Sequence, residues 1–278
     1  MSEEALPPGL YVVATPIGNL GDFSPRAAET LRRADLVLAE DKRVSAKLLA
    51  HAGAKAPMAT YHDHTSEVER DRIVARLGSE AIALVSDAGT PLISDPGYKL
   101  VRAARDAGHP VFTIPGPSAV VAALTLAGLP TDRFLFAGFL PAKAKARADA
   151  VAELAAVRAT LIFYESGPRL GDALAALGAE LGERDAAVVR EISKLHEECV
   201  TGTLAELGER YADAAPKGEI VIVVGPPAEA AQASDEDLDA ALDEALKSLS
   251  PSRAAAEVAA QLNIPRKRAY ARALERSQ

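Results

Sequence analysis

The stretch that decides the fold reads AIALVSDAGTPLISDPG, residues 81–97. It opens with an apolar run typical of a buried strand and continues as a loop of glycine, proline and aspartate. Glycine permits backbone conformations that other residues avoid and proline stiffens the chain, so this loop is longer and more specialised than a simple connection needs. We therefore expect a ligand to bind here, at the carboxyl end of a strand in an open α/β sheet.

Similar strands recur on both sides of this stretch, with helical patterns between them. The predicted strands cover residues 10–14, 36–39, 81–86, 111–114, 134–139, 160–164, 187–190 and 220–224. Such alternation indicates an α/β fold with mostly parallel strands. Within the first stretch, Asp95 followed by Pro96 predicts the cap and first residue of the next helix.

The last part of the chain has a different composition. Prolines and alanines replace the strand pattern at residues 225–234, which predicts a domain boundary. Beyond it we expect an acidic amphipathic helix at 235–248 and then a helix-turn-helix with its turn at 262–264. From residue 250 onward the chain has six Lys or Arg against two Glu. This excess predicts contacts with RNA phosphates, and the alternative is an ordinary helical hairpin that packs on the core or on a partner.

Composition excludes several classes of protein. The chain has 278 residues and a net charge of -8, which disfavours a protein that coats nucleic acid through its overall charge. The single cysteine, Cys199, and the lack of zinc-site spacings predict a cytoplasmic protein without a metal. No apolar run is long enough for a membrane span. The sequence motifs of P-loop NTPases, serine hydrolases and zinc peptidases are also absent.

Further loops after predicted strands carry polar residues. ATPIGNLGD at 14–22 and IPGPSA at 114–119 resemble ligand-binding turns, although either could be a plain helix entry. Glu40 and Asp41 follow another strand, where they serve either as helix caps or as catalytic carboxylates. REISKLHEE at 190–198 is either part of a site or a solvated run of charges.

Taken together and in order, seven motifs resemble the tetrapyrrole methylase family of S-adenosylmethionine enzymes, and within it the branch that modifies ribosomal RNA. They are TPIGNLGD, EDKR, SDAGTPLISDPG, IPGPSA, FYESGPR, REISKLHEE and GEIVIVVGP. Members that methylate porphyrinoids usually open with G-x-G-x-G-D, which is absent at residues 16–22. The resemblance implies two α/β domains, at 1–116 and 117–228, with a cleft between them, then a C-terminal helical tail at 229–278. It also implies a homodimer.

Carried over position by position, the resemblance implies that S-adenosylmethionine binds in that cleft. The implied cofactor-binding residues lie on five loops or strand ends: Pro16, Ile17, Gly18, Asn19, Leu20, Asp87, Gly89, Thr90, Ser94, Ser118, Ala119, Phe163 or Tyr164, Gly218, Glu219 and Ile220.

The reaction that the resemblance implies is methylation of a cytidine 2′-hydroxyl in the decoding region of 16S rRNA. Placing the hydroxyl beside the methyl group supplies most of the rate gain, but a protonated hydroxyl is a poor nucleophile and a base helps. Glu40, Asp41 and Lys194 are the first candidates, and Glu191 is a fourth. A lysine needs a lowered pKa to act as a base and otherwise orients a phosphate or the hydroxyl.

Two alternative functions stay open from sequence. One is a porphyrinoid or other small-molecule methyltransferase of the same fold, and the other is a non-catalytic nucleic-acid-binding module. On an acidic chain, RNA or the small ribosomal subunit would have to meet local basic patches. We expect these patches at Lys143, Lys145 and Arg147, and at the arginines between Arg253 and Arg276.

Overall fold

The computed structural model describes residues 5–228, 234–262 and 264–277. The chain divides into two compact units, Met1–Pro226 and Pro227–Gln278. The predicted boundary at 225–234 includes residues 229–233, which lie outside the described residues.

The first half of the larger unit is a parallel sheet with strand order β3-β2-β4-β1-β5. Its strands are β1 (Gly9–Val13), β2 (Leu36–Ala39), β3 (Met58–Thr60), β4 (Ala81–Val85) and β5 (Val111–Ile114). Four helices connect them: α1 (Pro25–Arg33), α2 (Lys42–Ala52), α3 (Glu67–Arg76) and α4 (Tyr98–Asp106). Every residue of β2 and β4 is buried, as the continuous apolar runs of a parallel sheet covered on both faces require.

The second half is a mixed sheet with order β6-β7-β10-β8-β9. Its strands are β6 (Phe134–Phe139), β7 (Thr160–Ser166), β8 (Asp185–Arg190), β9 (Glu198–Thr203) and β10 (Glu219–Val224). Only β6 and β7 pair in parallel, so the prediction of mostly parallel strands was wrong for this sheet. The physical reason is visible between β8 and β9, because residues 191–197 are too few for the crossover that a parallel pair needs.

Helices cover both faces of the second sheet. They are α5 (Ala119–Leu126), α6 (Ala144–Ala152), α7 (Leu170–Leu181) and α8 (Leu204–Tyr211). Phe163 is fully buried in one core cluster, among side chains of α7 and α8. The other face packs against α5 and also includes Ile17 from the loop after β1. The first loop is therefore anchored in the core of the second sheet, which brings the two sheets together around one site. The predicted domains 1–116 and 117–228 each hold one sheet, and their boundary stays a prediction.

The smaller unit is helical, as expected. It contains α9 (Asp235–Leu246), α10 (Pro251–Gln261) and α11 (Arg266–Arg276). Leu238, Leu242 and Val258 form its core with small alanines such as Ala269 and Ala273, which allow the helices to approach closely. The turn predicted at 262–264 includes residue 263, which is outside the described part of the chain.

Candidate active site

A cavity of about 310 Å³ lies between the two sheets of the larger unit. The loops after β1, β4 and β5 supply one side, and β7, β10 and the loop after β8 supply the other. Its walls are mostly apolar, with Ile17, Phe139 and Tyr164 among the larger side chains. Hydroxyls of Thr90 and Ser118 interrupt the apolar surface. A cavity with apolar walls and a few polar groups is the usual form of a site for an organic ligand.

Ten of the residues implied as cofactor-binding line this cavity: Ile17, Gly89, Thr90, Ser94, Ser118, Ala119, Tyr164, Gly218, Glu219 and Ile220. Four others, Pro16, Gly18, Leu20 and Asp87, line a second cavity beside it.

The remaining two implied residues, Asn19 and Phe163, line neither cavity. The Asn19 side chain accepts a hydrogen bond of 2.9 Å from the Gly21 N–H and so caps the short 3-10 turn Leu20–Asp22. Phe163 points into the core, because neighbouring residues of a strand face opposite sides of the sheet. Of the pair Phe163 or Tyr164, the structure brings Tyr164 to the cavity.

Hydrogen bonds join three of the loops into one assembly. Thr15 and Gly89 exchange backbone hydrogen bonds of 2.8 and 3.2 Å, which tie the first loop to the loop at 86–97. The Thr90 hydroxyl donates to the Pro117 carbonyl at 3.1 Å and ties the second loop to the third. Leu92 and Ser94 have left-handed backbones, with φ of 77° and 62°. Non-glycine residues in this region store strain and are frequent at functional sites.

Asp95 was not among the predicted site residues, yet it lines the cavity. The prediction that it caps the next helix was wrong, since α4 is capped by Gly97, with φ of 135° and no side-chain cap. The pKa of Asp95 is raised to about 6, mainly by burial; the nearby Ser86 hydroxyl opposes this increase, and the charges of Glu40 and Asp87 contribute to it. The sequence signal was an aspartate inside a glycine- and proline-rich loop. The proline that follows Asp95 favoured the interpretation as a helix cap instead.

The two carboxylates after β2 differ in role. Asp41 caps α2, accepting from the Arg43 N–H at 2.8 Å and pairing with the Arg43 guanidinium at 2.7 Å. These bonds from Arg43 lower the pKa of Asp41 to about 2. Burial and the charge of Asp87 raise the pKa of Glu40 instead. Neither carboxylate lines a cavity, and the geometry of Asp41 fits the capping interpretation.

Lys194 lies at the centre of an ion cluster and lines the second cavity. Its ammonium donates to Glu191 Oε1 at 2.9 Å and to Glu219 Oε2 at 2.8 Å. Burial acts to lower the pKa of Lys194, but the hydrogen bonds to Glu219 and Glu191 outweigh it and the pKa is raised. Lys194 is therefore held charged, which suits an orienting cation better than a base. Ser193, next to it, hydrogen-bonds Asp22 of the first loop.

Some of the basic residues expected to meet RNA are already paired. Arg147 is 7% exposed and contacts Asp172 at 3.1 Å, so the expectation that it forms a basic patch was wrong. In the tail, Arg272 pairs with Asp239 at 2.6 Å, and Arg276 pairs with Asp239 at 3.0 Å. These arginines have partners far away in sequence, which the local charge count could not reveal.

Two features are absent from residues 5–228, 234–262 and 264–277. No helix there is both long and apolar enough to cross a membrane. No group of three or more His, Cys, Asp and Glu side chains there could hold a metal ion.

Comparison with known proteins identifies the fold family. The sequence pattern of the family described as Tetrapyrrole (Corrin/Porphyrin) Methylases matches residues 9–208, which include every strand of the two sheets except β10. The chain belongs to this family. A second pattern, described as the RsmI C-terminal HTH domain, matches residues 232–277. The resemblance read from the seven motifs, the two-sheet α/β fold and the helical tail are thereby confirmed.

Full-length relatives within the tetrapyrrole methylase family share one name. The chain is 57% identical over 274 residues to "Ribosomal RNA small subunit methyltransferase I" of Erythrobacter litoralis (strain HTCC2594), which covers 99% of this chain and 97% of that protein. It is 45% identical over 277 residues to the protein of the same name from Escherichia coli O157:H7. That match covers 96% of this chain and 94% of the Escherichia coli protein.

Several solved structures share the fold at lower identity. A uroporphyrin-III-C-methyltransferase from Thermus thermophilus has a TM-score of 0.56 and 23% identity, covering 78% of this chain and 93% of its own. A diphthine synthase has a TM-score of 0.61 and 17% identity, covering 78% and 89%. The same architecture thus occurs in enzymes with unlike names, so the fold alone does not define the acceptor.

Proposed function

We propose that this chain transfers a methyl group from S-adenosylmethionine to the 2′-hydroxyl of a cytidine in the decoding region of 16S rRNA. One observation carries the proposal: identity of 57% over 274 residues to a ribosomal RNA small subunit methyltransferase I. That match spans the cavity loops and the tail alike. The absence of G-x-G-x-G-D at residues 16–22 supports an RNA acceptor over the porphyrinoid alternative.

The main cavity fits S-adenosylmethionine by its shape and chemistry. Tyr164 and Ile220 offer apolar surface for a flat base, and the Thr90 and Ser118 hydroxyls offer partners for ribose and carboxylate oxygens. Gly218 also lines the cavity; its φ is 105° and a Cβ there would collide with the Glu191 carboxylate, so this position requires glycine. When bound, the cofactor supplies a methyl group activated by a positively charged sulfur.

The protein's own part in such a reaction is to position the hydroxyl and to accept its proton. We propose Asp95 as the base, because it lines the cavity and its pKa of about 6 leaves it ionised but still basic at neutral pH. Glu40, whose pKa is also raised, is the second candidate. Lys194 is proposed to orient a phosphate or the hydroxyl, and Asp41 to hold the start of α2.

The decisive experiment uses small ribosomal subunits from a strain that lacks this gene. Purified protein and cofactor carrying a labelled methyl group are added, and the rRNA is digested and analysed by mass spectrometry. We expect label on the ribose of one cytidine. Label on a base, or no label on the subunit while uroporphyrinogen III accepts methyl groups, would replace the proposal with one of the alternatives.

We also propose that the protein is a homodimer and acts in the cytoplasm, where ribosomal subunits are assembled. Val121 and Phe134 are about half exposed, at 51% and 47%, and large apolar side chains of this kind are common at subunit contacts. Light scattering on the purified protein tests the dimer, and a monomer mass at micromolar concentration would exclude it.

A further inference from the structure

The second cavity, of about 330 Å³, lies directly beside the first. It is bounded by the loop after β1, by one face of α2 and by the start of the loop at 86–97. Ile17, Ala88 and Glu219 line both cavities. Ligands bound in the two cavities would therefore meet at these three residues, and a transfer between two bound molecules needs such contact.

Ser45 on α2 gives this cavity an unexplained polar group. Its side chain is 2% exposed, and its hydroxyl has no hydrogen-bond partner in the part of the chain that the structure describes. Serine inside a helix usually bonds a carbonyl one turn back, and a buried hydroxyl without a partner is costly. Because Ser45 lines the cavity, its missing partner points to a ligand there.

Two lysines line the same cavity. Lys47 forms no ion pair with any described residue, and its side chain is on the exposed surface of α2. Lys194 donates to Glu191 and Glu219, which uses two of the three hydrogens of its ammonium group. One donor of Lys194 therefore remains for a ligand. Two ammonium groups beside an unpartnered hydroxyl favour a ligand that carries both a phosphate and a hydroxyl-bearing sugar.

We propose that the second cavity binds the ribose and adjoining phosphate of the target nucleotide. Ser45 hydrogen-bonds an oxygen of the sugar-phosphate, and Lys47 and Lys194 neutralise the phosphate. The 2′-hydroxyl of the ribose then extends past Ile17, Ala88 and Glu219 into the first cavity, which Asp95 lines. This inference rests on the proposed function, because it takes the acceptor to be RNA.

Three substitutions on α2 test the assignment by kinetics on subunits that lack the modification. Lys47→Ala removes a charge that lines the cavity, while Lys42→Ala removes one at the exposed start of the same helix that lines neither cavity. We expect KM for the subunit to rise about tenfold in Lys47→Ala and less than about twofold in Lys42→Ala, because only the first loses a charge-assisted contact. Ser45→Ala should raise KM about threefold to tenfold.

Two measurements without turnover separate binding from folding. Ser45→Ala should leave the S-adenosylmethionine affinity unchanged by calorimetry and should not lower the Tm, because it replaces a hydroxyl that has no protein partner. Cytidine 3′-monophosphate is then titrated into protein saturated with S-adenosylhomocysteine and followed by NMR. We expect saturable binding in the wild type and in Lys42→Ala, weakened severalfold in Ser45→Ala and Lys47→Ala.

The results that would overturn the assignment are equally specific. Equal KM increases in Lys42→Ala and Lys47→Ala would mean a diffuse attraction for RNA instead of a nucleotide site. Unchanged KM and unchanged nucleotide affinity in Ser45→Ala would mean that its hydroxyl serves no ligand. If the wild type methylates no subunit but still binds the nucleotide through Lys47 and Ser45, the proposed function fails and the site stands.

Discussion

The cleft and the tail use their charges in opposite ways. In the tail, Asp239 and Asp243 of α9 accept hydrogen bonds from Arg272 and Arg276 of α11, and these bonds lower the pKa of both aspartates. In the cleft, Asp95 has no ion pair with any described residue, and burial raises its pKa to about 6. The pKa of Glu40 is also raised, mainly by burial and to a smaller extent by the charge of Asp87.

The charged side chains of the two regions therefore have different uses. Ion pairs between regular helices stabilise the tail at neutral pH. The paired side chains are then not available to bind a ligand. Like charges gathered on strained loops destabilise the cleft but leave groups able to exchange protons. A count of charges along the sequence cannot distinguish the two cases, because the distinction lies in whether a partner is present in space.

Removing the unpaired acid of the cleft should have the largest effect. Asp95→Asn is expected to lower kcat by about 10²- to 10⁴-fold, the usual contribution of a positioned base, with little change in cofactor affinity. The wild-type rate should fall as pH drops through about 6, as Asp95 gains a proton, and the variant should lose this limb. Burial, the Ser86 hydroxyl and the charges of Glu40 and Asp87 set that midpoint, and Tyr164 also faces Asp95.

Its control is Asp71→Asn, which removes an exposed acid that lines neither cavity. Steady-state kinetics between pH 5 and 9 compare the two variants. A normal rate in Asp95→Asn, or a large loss of cofactor binding, would remove Asp95 from the role of base.

A steric clash with Lys194, at the centre of the ion cluster, should have the next largest effect. Gly18 has φ of 127°, and a Cβ there would lie 2.3 Å from Lys194 Cε. We expect Gly18→Ala to displace Lys194 and lower kcat/KM about 10²-fold, the size expected from a misplacement of about 1 Å. Gly108→Ala is the matched control, since φ is 78° but no atom lies within 4 Å of the added Cβ. Equal losses in both variants would show that backbone strain, not Lys194, is responsible.

The free energy of unfolding of Asp95→Asn also tests the difference between the cleft and the tail. The folded pKa of Asp95 is raised from 3.8 to about 6, so its ionisation costs stability as pH rises through that window. At pH 8 the asparagine variant should therefore be more stable, by about 1–2 kcal/mol once partial exposure is allowed for, and no more stable below pH 4. Urea unfolding at the two pH values measures this. A destabilised variant at pH 8 would contradict the unpaired character of the site.

Breaking a pair in the tail should have the smallest effect on function. Arg272→Ala is expected to lower hydrogen-exchange protection in α9, and the loss should disappear in acid. The sign follows from Asp239, whose pKa is lowered, so its stabilising effect exists above 3.8 and is lost as pH falls through the folded pKa. Lys267→Ala, on the exposed surface of α11, should leave protection unchanged. We expect Arg272→Ala to change the salt slope of RNA binding by less than about 0.5, and a change near 1 would show a phosphate contact.

Much of the first sheet could be predicted from sequence, and less of the second. The strands β2 and β5 have the predicted bounds, because apolar runs are local signals. β3 and β9 were not predicted, since β3 is very short and β9 (ECVTGT) is polar and half-exposed. Strand direction in the second sheet depends on connections and pairing, which no local pattern encodes.

Prediction of the site was limited in the same way. The loops were located from glycine, proline and aspartate, and most of the implied cofactor residues lie at one cavity. Asp95 was predicted as a helix cap because an Asp-Pro pair in sequence is compatible with both a helix cap and a ligand-binding group. Only the surroundings of the side chain distinguish the two. Ser45 gave no signal at all, since a serine in a helix becomes notable only when its burial and missing partner are seen.

The anchoring of Ile17 in the core of the second sheet has a consequence for synthesis of the protein. Ile17 and Val221 share one core cluster and one cavity wall, although about 200 residues separate them. A growing chain therefore completes this cavity only after β10 has left the ribosome, roughly 10 to 40 s after the first loop at ordinary elongation rates. On the proposed function, a nascent chain cannot methylate rRNA until that core is finished.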